Sequence, residues 1–317
     1  KLMRIIVASL NFPAVAQTLA RNLPDDQVIP TPEQELFDAC RSAQVVVPTM
    51  ARIPAEVITG SGLKLIHQWG VGLEGVDIAA ATAEGIPVCN VPADQAVENA
   101  ESTSEHAVFL MMAVARRINQ FADTFRNGPW GVPLGTSLFG RKALIVGLGR
   151  VGQALARRLG DLHMEVSAIK AHPDPPLAEQ LGLAELAGPD ELHRLLGQAD
   201  FVAATLTATP STVGMFDQAA FAAMRPGAFF VNVGRGSVVD EAALLAALDS
   251  GHLGGAGLDV FASEPPGPEH PLLVNPMVVA TPHIGGVTEQ SFEAIGRKLA
   301  ANIERLRRGE PLLFRAN

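Results

Sequence analysis

The chain has 317 residues, of which 48% are apolar and 18% are charged. This length is sufficient for a large core and favours more than one domain. With 24 basic and 33 acidic residues, the formal charge of −9 argues against a general nucleic-acid-binding protein. The two cysteines, Cys40 and Cys89, are too few for a disulfide scaffold or a cysteine-rich zinc site. The sequence contains no tyrosine, which excludes a tyrosine acid.

Hydropathy does not indicate a membrane protein. The longest apolar run, residues 107–115, has nine residues, whereas a transmembrane helix needs about 20. The apolar stretch near the start of the sequence is too short for a secretory signal. We therefore expect a cytoplasmic protein that contacts neither membranes nor nucleic acid.

Strand and helix patterns alternate in the first section, as they do in parallel α/β folds. The run Thr31-Pro32-Glu33-Gln34 predicts a helix start, because it combines an N-cap threonine, a first-turn proline and a capping-box glutamine. A second helix is predicted over residues 77–84 and ends at Gly85. The predicted strands of this section are residues 4–8, 44–47, 63–68 and 88–91.

A long helical pattern follows over residues 98–126 and ends at Asn127-Gly128-Pro129, a strong stop signal. Its central residues, 107–115, are apolar on every side. A helix of this kind is usually buried between layers, domains or subunits. We interpret it as a domain-connecting or dimer-forming helix, and not as a cofactor contact.

A second series of strands and helices runs from Arg141 to about residue 283. A last helix, residues 288–308, is predicted to end at Gly309. If this helix packs on the first section, the first domain is discontinuous in sequence and the second domain is inserted into it. The predicted strands of the second series are residues 143–146, 165–169, 201–206, 228–233, 255–261 and 277–280.

A glycine-rich loop, Gly147-Leu148-Gly149-Arg150-Val151-Gly152, joins a predicted strand to a predicted helix. Gly147 permits the tight turn, Gly149 allows a pyrophosphate to approach the backbone, and Gly152 allows close packing of helix and strand. The phosphates would lie at the helix N-terminus, where unpaired N–H groups and the helix dipole favour anions. The loop therefore predicts a dinucleotide-binding domain, and the alternative is a glycine-rich structural turn.

The residue after the next strand bears on the choice of dinucleotide. An NAD site usually has Asp or Glu at this strand end, where its carboxylate binds the ribose 2′-hydroxyl. Here Lys170 occupies that place, and the next acidic residue is Asp174. A cation suits the 2′-phosphate of NADP, and Arg150 in the glycine loop would add a second one. The sequence therefore favours NADP over NAD; the alternative is a solvated Lys170 in an NAD-dependent protein.

Three segments near predicted strand ends carry further polar side chains. In an open α/β sheet, ligands bind outside the carboxyl ends of the strands, so these side chains should converge on one cofactor. They are Arg235, Asp259, Glu264 and His283. The segments are Val231-Asn232-Val233-Gly234-Arg235-Gly236, Gly255-Ala256-Gly257-Leu258-Asp259-Val260-Phe261 with Glu264-Pro265, and Thr281-Pro282-His283-Ile284-Gly285-Gly286.

At these segments the sequence resembles the D-isomer-specific 2-hydroxyacid dehydrogenases, and the resemblance covers nearly the whole chain. It implies an α/β protein of two flavodoxin/Rossmann-like domains with parallel sheets and an active site in the cleft. The NAD(P)-binding Rossmann domain, residues 99–286, would be inserted into a discontinuous substrate domain, residues 1–98 and 287–317. The expected assembly is a homodimer formed through the nucleotide domains. The other matching motifs are Gly70-Val71-Gly72, Val76-Asp77, Asn99 with Glu105, and Gly128-Pro129-Trp130.

The chemistry of a 2-keto acid reductase requires these residue types. His283 is the candidate general acid, since imidazole titrates near working pH. Glu264 would orient the ring and favour its protonated form, and Arg235 would hold the substrate carboxylate through two parallel N–H bonds and polarise the keto oxygen. The resemblance also assigns the backbone N–H groups of Val71 and Gly72 to the substrate carboxylate.

The cofactor contacts come partly from the glycine loop and partly from the resemblance, which assigns Asp259 to the nicotinamide amide. The predicted set is Gly147, Gly149, Arg150, Val151, Gly152, Lys170, Thr205, Val233, Gly234, Arg235, Asp259, His283 and Gly285. No metal site is predicted, because the remaining histidines have no metal-ligand spacing. We interpret those histidines as structural or surface residues, with His172 also considered as a phosphate neighbour.

Several readings stay open at the residue level. Asp259 lies within an apolar strand, so a buried structural carboxylate is the alternative to a cofactor contact. Residues 204–207, which include Thr205, stand where many relatives have a His-x-Pro segment bordering the cofactor. Trp69 precedes the Gly70-Val71-Gly72 loop and would either narrow the pocket or pack beneath the loop.

The predicted function is hydride transfer between NAD(P)H and a small 2-keto acid, giving a D-2-hydroxy acid, with glyoxylate and hydroxypyruvate favoured. One alternative is a 3-phosphoglycerate-type dehydrogenase. Formate is disfavoured, because formate dehydrogenases of this superfamily lack the glutamate that Glu264 supplies here. An alternative of another class is a non-catalytic dinucleotide-sensing binding protein, which would not need the acid–base set of Arg235, Glu264 and His283.

Overall fold

The computed structural model of the protein describes residues 2–317. The chain divides into two α/β units, each built on a sheet of parallel strands. Unit 1 comprises the chain up to Asn99 together with Thr288–Asn317, and unit 2 comprises Ala100–Val287. The predicted fold class, α/β with parallel sheets, is confirmed.

The strands in chain order are β1 (Arg4–Val7), β2 (Gln27–Pro30), β3 (Val45–Val47), β4 (Leu65–His67), β5 (Val88–Cys89), β6 (Lys142–Val146), β7 (Glu165–Ile169), β8 (Glu185–Ala187), β9 (Phe201–Ala204), β10 (Phe229–Asn232), β11 (Gly255–Leu258) and β12 (Val278–Ala280). The helices are α1 (Pro13–Asn22), α2 (Leu36–Ser42), α3 (Ala55–Ile58), α4 (Ile78–Ala83), α5 (Val97–Ala115), α6 (Phe121–Asn127), α7 (Arg150–Asp161), α8 (Pro175–Gln180), α9 (Leu192–Leu196), α10 (Gln218–Ala223), α11 (Glu241–Asp249), α12 (Pro271–Val274) and α13 (Glu289–Arg308).

Unit 1 has a five-stranded sheet of order β2-β1-β3-β4-β5. The central strands are apolar and buried on both faces, as expected for a parallel sheet that is covered by helices on each side. Helix α13 packs on α1, so the last helix does return to the first section. It begins after Thr288, whose side chain accepts a hydrogen bond from the Ser291 N–H, and it ends at Gly309 with φ 69°.

The C-terminal residues lie along β5. Cys89 pairs with Arg315 in an antiparallel bridge, and the Ala316 N–H donates to the Val88 carbonyl at 2.8 Å. The Val88 N–H donates in turn to the side-chain oxygen of Asn317 at 2.8 Å. This terminal segment therefore covers the outer edge of the unit 1 sheet.

Unit 2 has a seven-stranded sheet of order β12-β11-β10-β9-β6-β7-β8. Alternate residues of β6 belong to two separate apolar clusters, with Leu144 in one and Ile145 in the other. Since alternate residues of a strand face opposite sides, the sheet has a core on each face. The strand order reverses between β6 and β9, and a crevice at such a switch point is where ligands bind in open α/β sheets.

Two strands were not predicted from the sequence, and both are partly exposed strands at sheet edges. Strand β2 ends at Pro30, and β8 has only three residues, Glu185–Ala187. Neither has the continuous apolar run that identified the other strands. The predicted strands are confirmed, most with bounds one to three residues shorter.

The long helix predicted over residues 98–126 is wrong, because α5 ends at Ala115 and α6 begins at Phe121. Arg117 between them has φ 55°. The break has tertiary causes: the Ala115 carbonyl accepts the Thr136 N–H at 2.8 Å, and the Asn119 side chain donates to the Val278 carbonyl at 2.6 Å.

The helix start predicted at Thr31 is also wrong. The Thr31 hydroxyl donates back to the Ile29 carbonyl at 3.2 Å, and Pro32 is extended with ψ 153°. A short 3-10 turn follows, and helix α2 begins only at Leu36. By contrast, the helix predicted after Asp77 is confirmed, since the Asp77 side chain accepts the Ala80 N–H at 2.9 Å.

Candidate active site

The glycine loop follows β6 and leads directly into α7. Gly147 has φ 103°, and a Cβ at this position would lie 2.9 Å from the Leu206 side chain. A Cβ at Gly152 would lie 2.2 Å from the Gly147 carbonyl oxygen, which no side chain permits. A Cβ at Gly149 would meet nothing within 4 Å. The loop thus has two glycines required by packing and one that leaves open space at the N-terminus of α7, which fits a dinucleotide pyrophosphate.

Thr205 follows β9 and lies against this loop. Its N–H donates to the Val146 carbonyl at 2.9 Å, and its hydroxyl donates to the Gly147 carbonyl. Leu206, which follows Thr205, lies close to Gly234: a Cβ at Gly234 would lie 2.4 Å from the Leu206 carbonyl oxygen. The 205–206 backbone therefore brings the glycine loop and the Val233-Gly234-Arg235 segment together.

Lys170 directly follows β7, at the position where a carboxylate would bind a ribose. Its Nζ donates to the His172 carbonyl at 3.0 Å. The nearest acidic residue along the chain, Asp174, uses its side chain to cap α8 by accepting the Leu177 N–H at 3.4 Å. Arg150 is exposed as the first residue of α7. The described residues therefore place cations, and no strand-end carboxylate, near this end of the loop.

His283 and Glu264 form a close pair. The His283 Nδ1 lies 2.6 Å from Glu264 Oε2, and Glu264 Oε1 accepts the Phe261 N–H at 2.9 Å. Both side chains are partly exposed. The contact places Nδ1 of the imidazole against the carboxylate, so Nε2 lies on the side of the ring that faces away from Glu264. An imidazole oriented in this way can exchange a proton through Nε2.

Asp259 fixes the backbone that carries His283. It is only 2% exposed. Its carboxylate accepts the Ile284 and Gly285 N–H groups, each at 2.8 Å, and its carbonyl accepts the His283 N–H at 2.9 Å. The hydroxyl of Thr281 donates to the same carboxylate at 2.7 Å. Asp259 is therefore a positioning residue for the 281–285 segment, whether or not it also contacts a cofactor.

His106 of α5 completes the surroundings of Asp259. Its Nε2 lies 2.8 Å from the Thr281 hydroxyl and 3.3 Å from Asp259 Oδ1. Burial alone would raise the pKa of Asp259, but the hydrogen bonds from His106, Thr281 and the backbone N–H groups outweigh it, so the pKa lies below its usual range. The carboxylate thus stays ionised and keeps its acceptor role.

Arg235 follows β10 within a tightly held turn. Asn232 bonds both sides of the turn: its side-chain oxygen accepts the Gly234 N–H, and its amide donates to the Arg235 carbonyl, each at 3.0 Å. The Arg235 Nη1 donates to the Gly234 carbonyl at 3.0 Å. A Cβ at Gly236 would lie 1.9 Å from the Phe261 carbonyl carbon, so the turn packs directly on the segment that leads to Glu264.

The Gly70-Val71-Gly72 loop lies in unit 1, after β4. The Gly70 carbonyl accepts the Val91 N–H at 3.1 Å, and the Val71 carbonyl accepts the Asn90 side-chain amide at 2.7 Å. The Gly72 carbonyl accepts the Gln68 side-chain amide, also at 2.7 Å. In a trans peptide the N–H points away from the carbonyl. The N–H groups that follow these carbonyls, including those of Val71 and Gly72, are therefore directed away from Asn90, Gln68 and Val91, as an anion cradle requires.

Trp69, which precedes this loop, packs against helix α13. It is buried, its ring centroid lies 5.2 Å from that of Phe292 on α13, and it approaches Gly296 of the same helix. These contacts favour the packing alternative for Trp69.

Sequence reasoning missed several residues that hold the site together. His106 was interpreted as structural or surface, and the supporting roles of Thr281, Gln68 and Asn90 were not predicted. The partners of His106, Thr281 and Asn90 lie at least 19 residues away in sequence, so no local pattern indicates them. Gln68 bonds Gly72, which is four residues away, but no motif indicates this contact. Among residues 2–317, no cluster of three or more potential metal ligands is present. In the same part of the chain, no helix is long and apolar enough to cross a membrane.

Comparison with known proteins identifies the family. The family model described as "D-isomer specific 2-hydroxyacid dehydrogenase, NAD binding domain" matches residues 108–285, more than half of the chain. The chain therefore belongs to the D-isomer-specific 2-hydroxyacid dehydrogenase family, which is a family of oxidoreductases. The matched region lies within unit 2. The resemblance drawn from the motifs is confirmed.

Individual relatives differ in the substrate that they are named for. The D-3-phosphoglycerate dehydrogenase of Mycobacterium bovis is 39% identical over 269 residues, which is 84% of this chain and 49% of that protein. This chain spans about half the length of such curated relatives. A solved structure of a Thermus thermophilus protein is 33% identical with a TM-score of 0.84, covering 99% of this chain and 100% of that one.

A solved NADPH-dependent glyoxylate/hydroxypyruvate reductase from Sinorhizobium meliloti, in complex with NADP and malonate, is also similar. It is 29% identical with a TM-score of 0.83, and the match covers 100% of this chain and 97% of that one. The comparisons therefore place both phosphoglycerate dehydrogenases and a glyoxylate/hydroxypyruvate reductase among the relatives.

Proposed function

We propose that the protein interconverts a small 2-keto acid and the corresponding D-2-hydroxy acid with NAD(P)H as the hydride donor. The observation that carries this proposal is the 2.6 Å contact between His283 and Glu264, in the unit that also contains the glycine loop. The nicotinamide, when bound, supplies the hydride. His283 gives a proton from Nε2 to the carbonyl oxygen, while Glu264 orients the ring from Nδ1. In the reverse direction His283 takes the hydroxyl proton.

Arg235 and the Gly70-Val71-Gly72 loop are proposed, each on its own evidence, to bind the charged groups of the substrate. The guanidinium of Arg235 is assigned to the substrate carboxylate and to polarisation of the keto oxygen. The N–H groups of Val71 and Gly72 are assigned to the same carboxylate. Support for this second assignment comes from the three carbonyls of the loop, which are bonded away on the other side.

The same contacts support cofactor roles for the residues around the glycine loop. Gly147, Gly149 and Gly152 shape the pyrophosphate site, with Arg150 and Val151 at the first turn of α7. Thr205, Val233, Gly234 and Gly285 line the neighbouring strand ends. Oδ2 of Asp259 accepts one N–H, from Gly285, among the described residues. A carboxylate oxygen has two lone pairs, so a second donor, the nicotinamide amide, fits there.

NADP is the proposed dinucleotide, on the basis of Lys170 at the end of β7 and the exposed Arg150. Glyoxylate and hydroxypyruvate are the proposed substrates, which agrees with the named activity of the Sinorhizobium meliloti relative. The second candidate substrate is 3-phosphoglycerate, favoured by the names of the curated relatives.

A homodimer formed through unit 2 is also proposed. Several large apolar side chains of this unit are exposed within one stretch of sequence that follows α5. They include Phe125, Trp130, Leu134 and Phe139, which are 74%, 89%, 87% and 70% exposed. We call these four residues the apolar patch. Large exposed apolar surfaces of this kind mark protein interfaces.

Initial rates of NADPH and NADH oxidation test the proposal, measured with hydroxypyruvate, glyoxylate, pyruvate and a branched 2-keto acid. The reverse reaction with 3-phosphoglycerate is measured beside them. We expect the highest kcat/KM for NADPH with glyoxylate or hydroxypyruvate. A Lys170→Glu variant should lose the NADPH preference and keep activity with NADH. An NADH preference in the unaltered protein would refute the role of Lys170, and turnover of 3-phosphoglycerate alone would refute the proposed substrates.

A further inference from the structure

A second carboxylate, that of Glu241, bonds the segment that leads to Glu264. Glu241 is the first residue of α11, and its Oε1 accepts the Ala262 N–H at 2.9 Å. The preceding N–H, that of Phe261, donates to Glu264 at 2.9 Å. Two consecutive amides of this segment are therefore each bound by a different carboxylate, and one of these carboxylates contacts His283.

Glu241 is itself held through its other oxygen. Its Oε2 lies 3.3 Å from Nε2 of His270, and the two side chains are 21% and 24% exposed. The His270 ring packs edge-on against Phe261 with a centroid distance of 5.6 Å, and the His270 N–H donates to the Gly267 carbonyl at 2.9 Å. One carboxylate thus joins the two ends of residues 261–270, the segment that contains Glu264.

The Phe261–Ala262 peptide, whose N–H bonds Glu241, is also restrained by Gly236. Gly236 packs so closely on Phe261 that a Cβ would lie 1.9 Å from its carbonyl carbon. Pro265 and Pro266, which follow Glu264, reduce the backbone freedom of the rest of the segment. Ala262 is exposed, so water can replace the bond from Glu241 to its N–H. Loss of this bond should therefore affect the position of the segment more than the stability of the fold.

We propose that Glu241 is a positioning residue for the reaction. Together with His270, it fixes the Phe261–Ala262 peptide and so sets the direction from which Glu264 meets His283. The inference rests on the proposed function, because that function gives Glu264 and His283 their roles. Glu241 acts through the backbone of its own unit and is assigned no contact with substrate.

The first test is made on the full chain without added cofactor, by NMR of the histidine ring nitrogens. The His283 signals are identified as those absent from His283→Asn. We expect Glu241→Ala to move them in the same direction as Glu264→Ala does. Glu241→Gln should leave them in place, because the glutamine oxygen still accepts the Ala262 N–H. Glu185→Ala is the control, since this glutamate of the same unit bonds Arg194 on the surface.

The second test is a double-mutant cycle on kcat and KM with the best substrate. We expect Glu241→Ala to lower kcat about tenfold, as a small misplacement of an acid–base pair does. KM for the substrate should stay within about twofold, because binding is not its role. In a Glu264→Ala background the substitution should have no further effect, since it acts through Glu264. Glu241→Asp, which keeps the charge and shortens the side chain, replaces the alanine variant if that variant does not fold.

Two results would overturn the inference: His283 signals of Glu241→Ala at their original positions, or effects of Glu241→Ala and Glu264→Ala that multiply. A different result would overturn the proposed function. If Glu264→Ala itself leaves both kcat and the His283 signals unchanged, the acid–base pair is wrong, whatever Glu241 does.

Discussion

At the scale of single residues, His283 has an unusual backbone, with φ 54°. Left-handed conformations are uncommon for residues other than glycine and are several-fold enriched in Asn, Asp and His. Here the bonds from the 281–285 segment to Asp259 maintain the conformation, and the lowered pKa of Asp259 keeps those bonds in place. The ring is thus presented to Glu264 by its backbone and not by side-chain packing alone.

Replacement of His283 by Asn distinguishes the hypothesis of an enzyme from that of a dinucleotide-sensing protein. Asn tolerates the left-handed backbone, so the fold should be retained, while the proton donor is lost. We expect kcat to fall by a factor of about 10² to 10⁴, the usual contribution of a general acid, while the variant still binds the cofactor. Turnover is measured by NADPH oxidation and affinity by quenching of protein fluorescence.

The surface histidine His193 provides the control, since His193→Asn removes an imidazole on α9 at the surface. Turnover and cofactor affinity should both be unchanged in this variant. Full turnover by His283→Asn would contradict the assignment of the acid.

A second histidine, His67 of β4, is fully buried and neutral. Its Nδ1 bonds the Gln68 carbonyl at 3.0 Å, and its Nε2 lies 3.0 Å from the Asn302 side-chain nitrogen, which donates to it. Burial lowers the pKa of His67 from 6.5 to about 4, against a smaller opposing effect of the Gln68 carbonyl. Between these two pH values the unfolded chain binds a proton that the folded chain does not.

Stability of unit 1 should therefore fall as the pH is lowered from 6.5 to 4, with no further loss from this group below pH 4. The shift corresponds to about 3 kcal/mol of unfolding free energy. Urea unfolding is followed by Trp69 fluorescence in a Trp130→Phe background, which leaves Trp69 as the single tryptophan. His67→Gln should remove most of the pH dependence in this window. If the stability of that variant fell equally steeply over this pH range, the assignment of the pH dependence to His67 would be contradicted.

At the scale of secondary-structure elements, the glycine loop and α7 form the most constrained junction. Gly152 has no room for a side chain, because the carbonyl oxygen of Gly147 lies 2.2 Å from the Cβ position. Gly160 of the same helix has open space at its Cβ position. The two glycines therefore form a matched pair for substitution by alanine.

Gly152→Ala should destabilise unit 2 and abolish dinucleotide binding, since the loop must move away from the helix. A cost of about 2 kcal/mol is expected, within the range of overpacking substitutions. Gly160→Ala should instead stabilise the protein by up to about 1 kcal/mol, because alanine favours the helix. Thermal unfolding and fluorescence titration with NADPH check both variants. Equal behaviour of the two would refute the packing argument.

Elements with local signals could be predicted from the sequence, as Asp77, the glycine loop, Thr288 and Gly309 illustrate. Each of these signals acts within a few residues, through a cap or a backbone conformation. The break at Arg117 could not be predicted, because Thr136 and Val278 supply the competing hydrogen bonds.

The candidate site shows the same division. Its residues at strand ends were indicated by motifs and by the resemblance to a known family. The roles of His106, Glu241 and Asn90 depend on partners that only the tertiary fold brings near, so no local pattern indicates them.

At the scale of the whole molecule, the apolar patch of unit 2 is the surface on which the proposed homodimer rests. Trp130 packs edge-on against Phe125 at 5.8 Å, yet both rings remain largely exposed. Such an area is unfavourable in water unless another surface covers it.

We expect the protein to elute as a dimer in size-exclusion chromatography with light scattering. Trp130→Asp combined with Leu134→Asp should shift it to a monomer, because two buried charges would oppose the interface. Val213→Asp is the control, since Val213 is an exposed apolar residue of the same unit outside the patch. A monomer in the unaltered protein would refute the proposed homodimer.

The terminal segment along β5 protects the unit 1 sheet against the addition of strands from other molecules. A sheet edge with open amide and carbonyl groups invites strand addition from other molecules. In unit 1 one edge strand, β2, is short and ends in a proline, and the other, β5, is capped by residues 315–317. The two edges of this sheet are thus protected in different ways, and neither presents a long open strand on which amyloid-like growth could start.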